Sequence, residues 1–306
     1  MKLSIVSTLY NSAEYVEEFI ERCQKVAQQL VDQDYEIILV DDGSPDNSLQ
    51  IAIELCKTNK NLRVIELSRN FGHHQAITAG LHESKGEYIF LIDSDLEEEP
   101  EWLSSFYNKL LETGAEVIYG QQKSRKGNYF EKISGHIYYF ILNRILHFDH
   151  PPNMITARIM RRNYLNEVLK YEEREFVISG IWLHAGFMQV PIQITKKCTS
   201  VSSYSLSKKF SHLFNSITSF SDNPLKLIFF AGLIISFFSS IVSIIYFIRH
   251  IFFESLLDGF TSIIISIWFL GGIIIFFQGI IGLYIAKVFL EIKKRPLYIV
   301  KSTHKY

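Results

Sequence analysis

The chain has 306 residues and carries 31 Lys+Arg against 32 Asp+Glu, a net charge of -1. That balance argues against a protein held on nucleic acid by bulk electrostatics, and no nucleic-acid partner is expected. The three cysteines, Cys23, Cys56 and Cys198, are scattered and odd in number, which suits a reducing compartment and offers no metal-ligand spacing.

From the N-terminus, short apolar runs alternate with amphipathic ones. Lys2 to Ser7 is a strand-like run followed by polar residues and does not have a signal-peptide pattern. Lys2 to Thr8, Tyr35 to Asp41, Leu62 to Leu67, Tyr88 to Asp93 and Val117 to Tyr119 read as strands. Between them Ala13 to Leu30, Ser48 to Lys57, Ala76 to Glu83 and Pro100 to Glu112 read as helices, with Ser12 placed to cap the first and Pro100 in the first turn of the last. The alternation predicts an α/β domain with a mainly parallel sheet, whose ligand lies beyond the carboxyl ends of the strands.

Polar residues collect at those ends. Tyr10 and Asn11 follow the first strand, Asp41 and Asp42 the second, Ser68, Arg69 and Asn70 the third, and Asp93, Ser94 and Asp95 the fourth. Aspartates two apart on a strand leaving the sheet can face one divalent ion, and an ion held by only two carboxylates keeps positions open for phosphate oxygens. Mg²⁺ or Mn²⁺ with a nucleotide diphosphate is the chemistry this suggests, although Asp at a strand end is also ordinary turn chemistry. Asp41-Asp42-Gly43-Ser44 reads either as a turn into a helix or as an acceptor of hydrogen bonds from a base or ribose. Arg69 is either a solvated charge or a phosphate partner. Neither a Gly-x-x-x-x-Gly-Lys-Ser/Thr cradle nor a Gly-x-Gly-x-x-Gly turn is present, which disfavours kinase-like and dinucleotide-dependent enzymes.

The later part of the chain changes character. Leu227 to Ile248 and Phe260 to Ala286 contain no Asp, Glu, Lys or Arg, and each exceeds the roughly 20 residues that cross a bilayer. Lys196, Lys197, Lys208, Lys209 and Lys226 precede the first run, and Lys287, Lys293, Lys294 and Arg295 follow the second, so both termini are expected on the cytosolic side. The expected organisation is a cytosolic domain over 1–204, an amphipathic juxtamembrane helix over 205–222, spans over 225–250 and 260–286, and a cytosolic tail over 287–306. Phe130, Ile133, Ile137, Ile141 and Ile145 form an apolar stripe on a helix over about 129–147, and Leu206, Phe210, Leu213, Phe214, Ile217 and Phe220 form another. Each stripe either packs on the domain or lies in the membrane interface, and Lys126, Lys132, Lys208 and Lys209 favour the interface.

These residues resemble a family-2 glycosyltransferase with the A-type nucleotide-sugar fold. More narrowly the chain is similar to the polyprenyl-phosphate glycosyltransferases, the group of dolichol-phosphate mannosyltransferase and the bacterial undecaprenyl-phosphate glucosyltransferases. The resemblance lies in Tyr10-Asn11, Val40-Asp41-Asp42-Gly43-Ser44, Leu67-Ser68-Arg69-Asn70-Phe71-Gly72, Ala79-Gly80, Asp93-Ser94-Asp95-Leu96, Ser124-Arg125 and Pro151-Pro152-Asn153, followed by the two apolar runs. It implies donor-nucleotide contacts from Leu9, Tyr10, Asn11, Asp41, Asp42, Arg69, Asn70 and Ser94, an ion at Asp93 and Asp95, and a phosphate contact from Arg125. Glu97, Arg125, Thr156, Arg158, Lys197, Ser202 and Tyr204 are its candidates for the acceptor phosphate or sugar.

The chain departs from that pattern at the acceptor end. Glu97 stands where the family has Gln after the second aspartate and Leu. Thr156 and Ala157 replace an acidic residue and a Phe before Arg158, and the Arg-x-x-Gly-x-Ser-Lys-Tyr segment survives as Lys197, Ser200, Ser202, Ser203 and Tyr204. The resemblance implies transfer of one sugar, with inversion, from a nucleotide-sugar expected to be UDP-linked onto a polyprenyl (undecaprenyl) phosphate at the inner membrane, by a homo-oligomer. A lipid phosphate is already anionic at neutral pH, so loss of an acidic group at Thr156 is compatible with that acceptor. A sugar-hydroxyl acceptor is the alternative; a processive synthase is disfavoured because no Gln-x-x-Arg-Trp segment occurs, and a non-catalytic scaffold is disfavoured by the intact aspartate pair.

Overall fold

In a computed structural model of the chain, the described residues are 1–122, 151–173, 178–196, scattered positions between 225 and 241, and 260–306. They fall into two compact units, residues 1–209 with 295–306, and residues 210–294.

In the first unit β1 (Leu3–Leu9), α1 (Val16–Val31), β2 (Tyr35–Asp41), α2 (Ser48–Cys56), β3 (Leu62–Leu67), α3 (His73–Glu83), β4 (Tyr88–Leu91), α4 (Trp102–Thr113) and β5 (Val117–Gln122) follow in order. Then come β6 (Met154–Arg161), α5 (Arg162–Val168), α6 (Ile178–His184) and β7 (Gln189–Ile194). After the second unit's helix α7 (Phe260–Ile292), the chain returns as β8 (Val300–Lys305). Eight strands make one sheet in the order β7-β5-β6-β4-β1-β2-β3-β8. The β4-β1-β2-β3 block is parallel, while β6 and β8 run against their neighbours, so the sheet is mixed and mostly parallel.

Every residue of β1 and β2 is buried, as a parallel strand covered on both faces requires. On one side α1 supplies Val16, Phe19, Ile20, Cys23, Val26 and Ala27 at three- and four-residue spacing. On the other face α3 approaches so closely that a Cβ on Gly80 would sit 2.5 Å from Val6 Cγ1. That contact accounts for the Ala79-Gly80 pair.

Two details differ from the sequence expectation. The first helix begins at Val16, not Ala13, and Ser12 does not cap it with its side chain. Ser12 contributes its carbonyl to the amides of Tyr15 and Val16, and its hydroxyl turns toward Ser94. The tail also contains an element with no apolar signature: β8, Val-Lys-Ser-Thr-His-Lys, lies antiparallel to β3. Its approach is fixed by the Ser68 amide donating to Ile299 O at 2.9 Å, and Glu66 takes bonds from Lys301 Nζ at 2.5 Å and Ser302 Oγ at 2.6 Å.

Among the described residues of the second unit, Leu270–Ile292 of α7 is long and apolar enough to cross a membrane. Ile267, Ile274, Ile275, Phe276 and Ile285 on it are exposed rather than packed. Described positions between 225 and 241 are helical, with Phe229, Phe230, Ile234, Phe237 and Phe238 exposed. The amphipathic stretches 129–147 and 205–222 lie outside the described residues.

Candidate active site

The carboxyl ends of β1, β2, β3 and β4 meet at one edge because these strands are parallel neighbours. β1 ends at Leu9, whose side chain is buried in the core; its carbonyl accepts the Asp42 amide at 3.1 Å. Leu9 therefore joins two strand ends through its backbone and presents no side chain to a ligand. Tyr10, 51% exposed, and Asn11, at φ 55°, turn outward beyond it.

The two aspartates after β2 do different work. Asp41 Oδ2 accepts the Gly43 amide at 3.1 Å and the Ser44 amide at 3.3 Å, while its Oδ1 is buried without a hydrogen bond among the described residues. Asp42 is 2% exposed and uses Oδ1 for the Phe71 amide at 2.7 Å and Oδ2 for the Gly72 amide at 3.0 Å. The resemblance implied a nucleotide contact from Asp42, and both its oxygens also hold the loop after β3. Burial raises the pKa of both carboxyls, and the amides oppose that rise. Gly43 completes the junction. Its φ is 65°, and a Cβ there would stand 2.6 Å from Asn70 N and 2.9 Å from the Arg69 carbonyl carbon. Arg69 folds over the Phe71 ring at 4.0 Å and donates to Asn70 O, which leaves the Arg69-Asn70 stretch exposed at the edge.

After β4 the Ile92 amide still bonds Val6 O, and Asp93 leaves the sheet. Ser94 was expected at the nucleotide. It turns inward instead, donating to Thr8 O at 2.7 Å and meeting Ser12 Oγ at 3.1 Å, so its hydroxyl ties the loop after β4 to the end of β1. Leu96 sits at φ 59°, a left-handed turn uncommon for a branched side chain, between Asp95 and Glu97. Asp95 Oδ1 accepts the Glu97 amide at 3.0 Å, and burial raises the Asp95 pKa. Asp93 Oδ1 is buried without a hydrogen bond among the described residues, with His73 Nε2 at 3.5 Å. His73 Nδ1 in turn meets Thr8 Oγ1 at 3.1 Å.

Those two carboxylates, one with an orphaned oxygen, are a fit for a hard divalent cation, which takes oxygen ligands. Among the described residues no three His, Cys, Asp or Glu side chains come together as a ligand set. The Asp93 charge also reaches Asp95 and adds to the rise in its pKa.

Charged groups missed by the sequence reading surround that loop. Glu98 is fully buried; its Oε2 accepts the Asp93 amide at 3.4 Å and its Oε1 lies 3.4 Å from Lys196 Nζ. Lys196, two residues beyond β7, also meets Glu97 Oε2 at 3.5 Å. Burial and the Asp93 charge push the Glu98 carboxyl up, while the surrounding acids outweigh desolvation and raise Lys196. Only the Glu97-Glu98-Glu99 run, too acidic for an ordinary turn, hinted at this cluster.

Arg158 was expected to hold a phosphate. It is 0% exposed, donates to Thr156 O and Ile155 O at 3.2 Å each, and lies over the Trp182 ring at 3.1 Å. Its place is in the interior, where burial lowers its pKa, because β6 pairs Arg158 with Leu91 in the middle of the sheet. Thr156, two residues earlier on β6, lies toward the Asp93 end of that pairing. Arg125, Lys197, Ser202 and Tyr204 lie outside the described residues. A groove of about 380 Å³ lined by Gln24, Gln28, Tyr35 and Asn61 lies at the opposite end of the strands, away from these groups.

The family model "Glycosyl transferase family 2" matches residues 4–169. A protein of Mycobacterium tuberculosis (strain CDC 1551 / Oshkosh) described as "Putative glycosyltransferases" is 42% identical over 99% of this chain and 89% of its own length. An uncharacterized glycosyltransferase of Bacillus subtilis (strain 168), YkcC, is 32% identical over 99% of this chain and 94% of its own. The SfII prophage-derived bactoprenol glucosyl transferase of Shigella flexneri is 27% identical over 100% of this chain and 99% of its own.

Proposed function

The chain belongs to glycosyl transferase family 2 and is a glycosyltransferase, and from that premise we propose that it moves one sugar from a UDP-linked donor to a polyprenyl phosphate at the cytosolic membrane face. The observation that carries this reading is end-to-end similarity to a bactoprenol glucosyl transferase, which includes the apolar C-terminal part as well as the catalytic fold.

The donor edge supports a nucleotide. Exposed Tyr10, Asn11, Arg69 and Asn70 follow the ends of β1 and β3 at this edge, and they offer the donors and acceptors that a base or ribose needs. Asp93 and Asp95 would hold Mg²⁺ or Mn²⁺, and that ion, when bound, supplies positive charge to the departing diphosphate. A lipid-phosphate oxygen forms the new bond to the anomeric carbon as the bond to the diphosphate oxygen breaks, with inversion and release of UDP. The attacking oxygen is already anionic, so no base is needed at Thr156. Glu97, held beside Lys196, is engaged as an ion-pair partner rather than poised as a base.

Membrane placement has its own support. A strand and its sheet share one compartment, so the pairing of β8 with β3 calls for an even number of crossings between residues 210 and 294. With α7 read as one span, a second within 225–250 completes the pair, and the flanking lysines favour the cytosol for the sheet.

A panel of radiolabelled nucleotide sugars offered to membranes with undecaprenyl phosphate tests the reaction. A chloroform-soluble product is expected; a polymer, or a product only with hydroxyl acceptors, overturns the acceptor. In a Cys198→Ser background, Ser255→Cys is expected to react with an impermeant reagent from the far side, and Tyr306→Cys not to. The reverse labelling removes the topology.

A further inference from the structure

We propose that His73 is a positioning residue that fixes the orientation of Asp93 for the divalent cation; the inference rests on the metal reading above. Asp93, Asp95, Glu97 and Glu98 place four acidic side chains within six positions, and Glu98 is buried directly against the Asp93 amide. Like charges that close repel; Lys196 offsets part of that at Glu97 and Glu98, and Asp93 Oδ1 is left without a hydrogen bond among the described residues. The nitrogen facing Asp93 Oδ1 is His73 Nε2, at 3.5 Å.

The ring is oriented from its other side. Nδ1 lies 3.1 Å from the Thr8 hydroxyl, and Thr8 stands on β1 one residue before its end, with its carbonyl held by Ser94. With the Thr8 hydroxyl donating to Nδ1, the neutral ring carries its proton on Nε2, the nitrogen that faces the carboxylate. A rigid strand thus sets the tautomer and the tautomer sets the carboxylate. His73 opens α3 directly after Gly72, whose amide is held by Asp42, so the backbone carrying the ring is anchored as well. At 3.5 Å the pair falls short of a hydrogen bond, and cation binding at Asp93 would draw the two together. No third ligand group joins Asp93 and Asp95 among the described residues, so His73 acts through Asp93 rather than on the ion.

Groups that orient a metal ligand in this way typically contribute 10- to 100-fold to metal affinity. Mn²⁺ alone, titrated into the full-length protein and followed by electron paramagnetic resonance, reads that contribution without turnover. His73→Ala is expected to weaken Mn²⁺ binding about 10-fold or more. His73→Gln, which keeps an N–H donor, is expected to recover most of it. Thr8→Val is expected to lose less than His73→Ala and to add nothing to it, since the two act as one relay. The ring is 48% exposed, so the fold is expected to survive; His73→Leu repeats the measurement if His73→Ala does not fold. Asp93→Asn separates the two levels of inference. If Asp93→Asn abolishes Mn²⁺ binding while His73→Ala binds like the wild type, the positioning role is wrong and the metal reading stands. If Asp93→Asn binds Mn²⁺ like the wild type, the metal reading fails and the role of His73 fails with it.

Discussion

Two sides of one sheet edge hold their polar groups by different means. Where β1, β2 and β3 end, carboxylates and hydroxyls are held by neutral partners: Asp42 accepts from two backbone amides, Asp41 Oδ2 from two more, and Ser94 donates to the Thr8 carbonyl beside Ser12. Where the loop after β4 meets β6 and β7, charge balances charge in a dry setting, with Lys196 between Glu97 and Glu98, and Arg158 sealed beneath Trp182. Backbone amides cannot move without unfolding the loops they belong to, so the first side is preorganised before any ligand arrives. Opposed side chains can exchange partners. The second side is therefore where an incoming cation or phosphate gains most, and its orphaned atoms, Asp93 Oδ1, Glu98 Oε1 and Arg158 Nη1, belong to charged groups.

The largest expected effect breaks the comparison at its centre. Asp93→Asn or Asp95→Asn is expected to lower turnover by about 10²-fold or more with the melting temperature nearly unchanged, since the lost charge serves the departing diphosphate more than the fold. Steady-state rates beside thermal melts check it, and a fully active double variant in chelator contradicts the site.

Next comes the buried ion pair. Lys196→Met strands Glu98 in the interior and is expected to cost about 3 kcal/mol of stability, read by denaturant titration. Adding Glu98→Gln is expected to return much of that loss, because the buried charge goes with it. Equal losses in the single and double variants would mean that charge balance is not what holds this side together.

On the amide-held side the sensitive point is shape. Gly43→Ala is expected to cost about 1–3 kcal/mol and to weaken UDP binding, because its Cβ meets the backbone of Arg69 and Asn70 and its φ is left-handed. Calorimetric titration with UDP reads the second effect, and unchanged affinity would separate this junction from the donor site. The smallest change sharpens the contrast: Lys301→Ala removes an exposed partner of Glu66 and is expected to cost only about 0.5 kcal/mol, since surface pairs are screened.

Much of the amide-held side was legible in advance. Buried parallel strands must be continuous apolar runs, and the turns after them must be polar, so β1 to β4 and the residues at their ends stand out by pattern alone. What each end residue does there did not. Asp41 and Asp42 are adjacent and chemically identical, and only the position of the loop after β3 decides that Asp42 holds that loop while Asp41 holds the turn at Gly43 and Ser44. Ser94 looked like its neighbours until the end of β1 offered its hydroxyl the Thr8 carbonyl and Ser12. Arg158 looked like a phosphate ligand until the pairing of β6 with β4 placed it mid-sheet.

By itself the sequence determined the α/β alternation, the strand ends where chemistry collects, the aspartate pair and the apolar C-terminal runs, because each follows from short-range periodicity or composition. Tertiary structure alone decided that β8, a polar segment at the far end of the chain, closes the sheet beside β3, that Lys196 stands against Glu98, and that His73 reaches Asp93. Those contacts join residues far apart in the chain, and nothing in their local sequence encodes a partner that only the order of strands brings within reach.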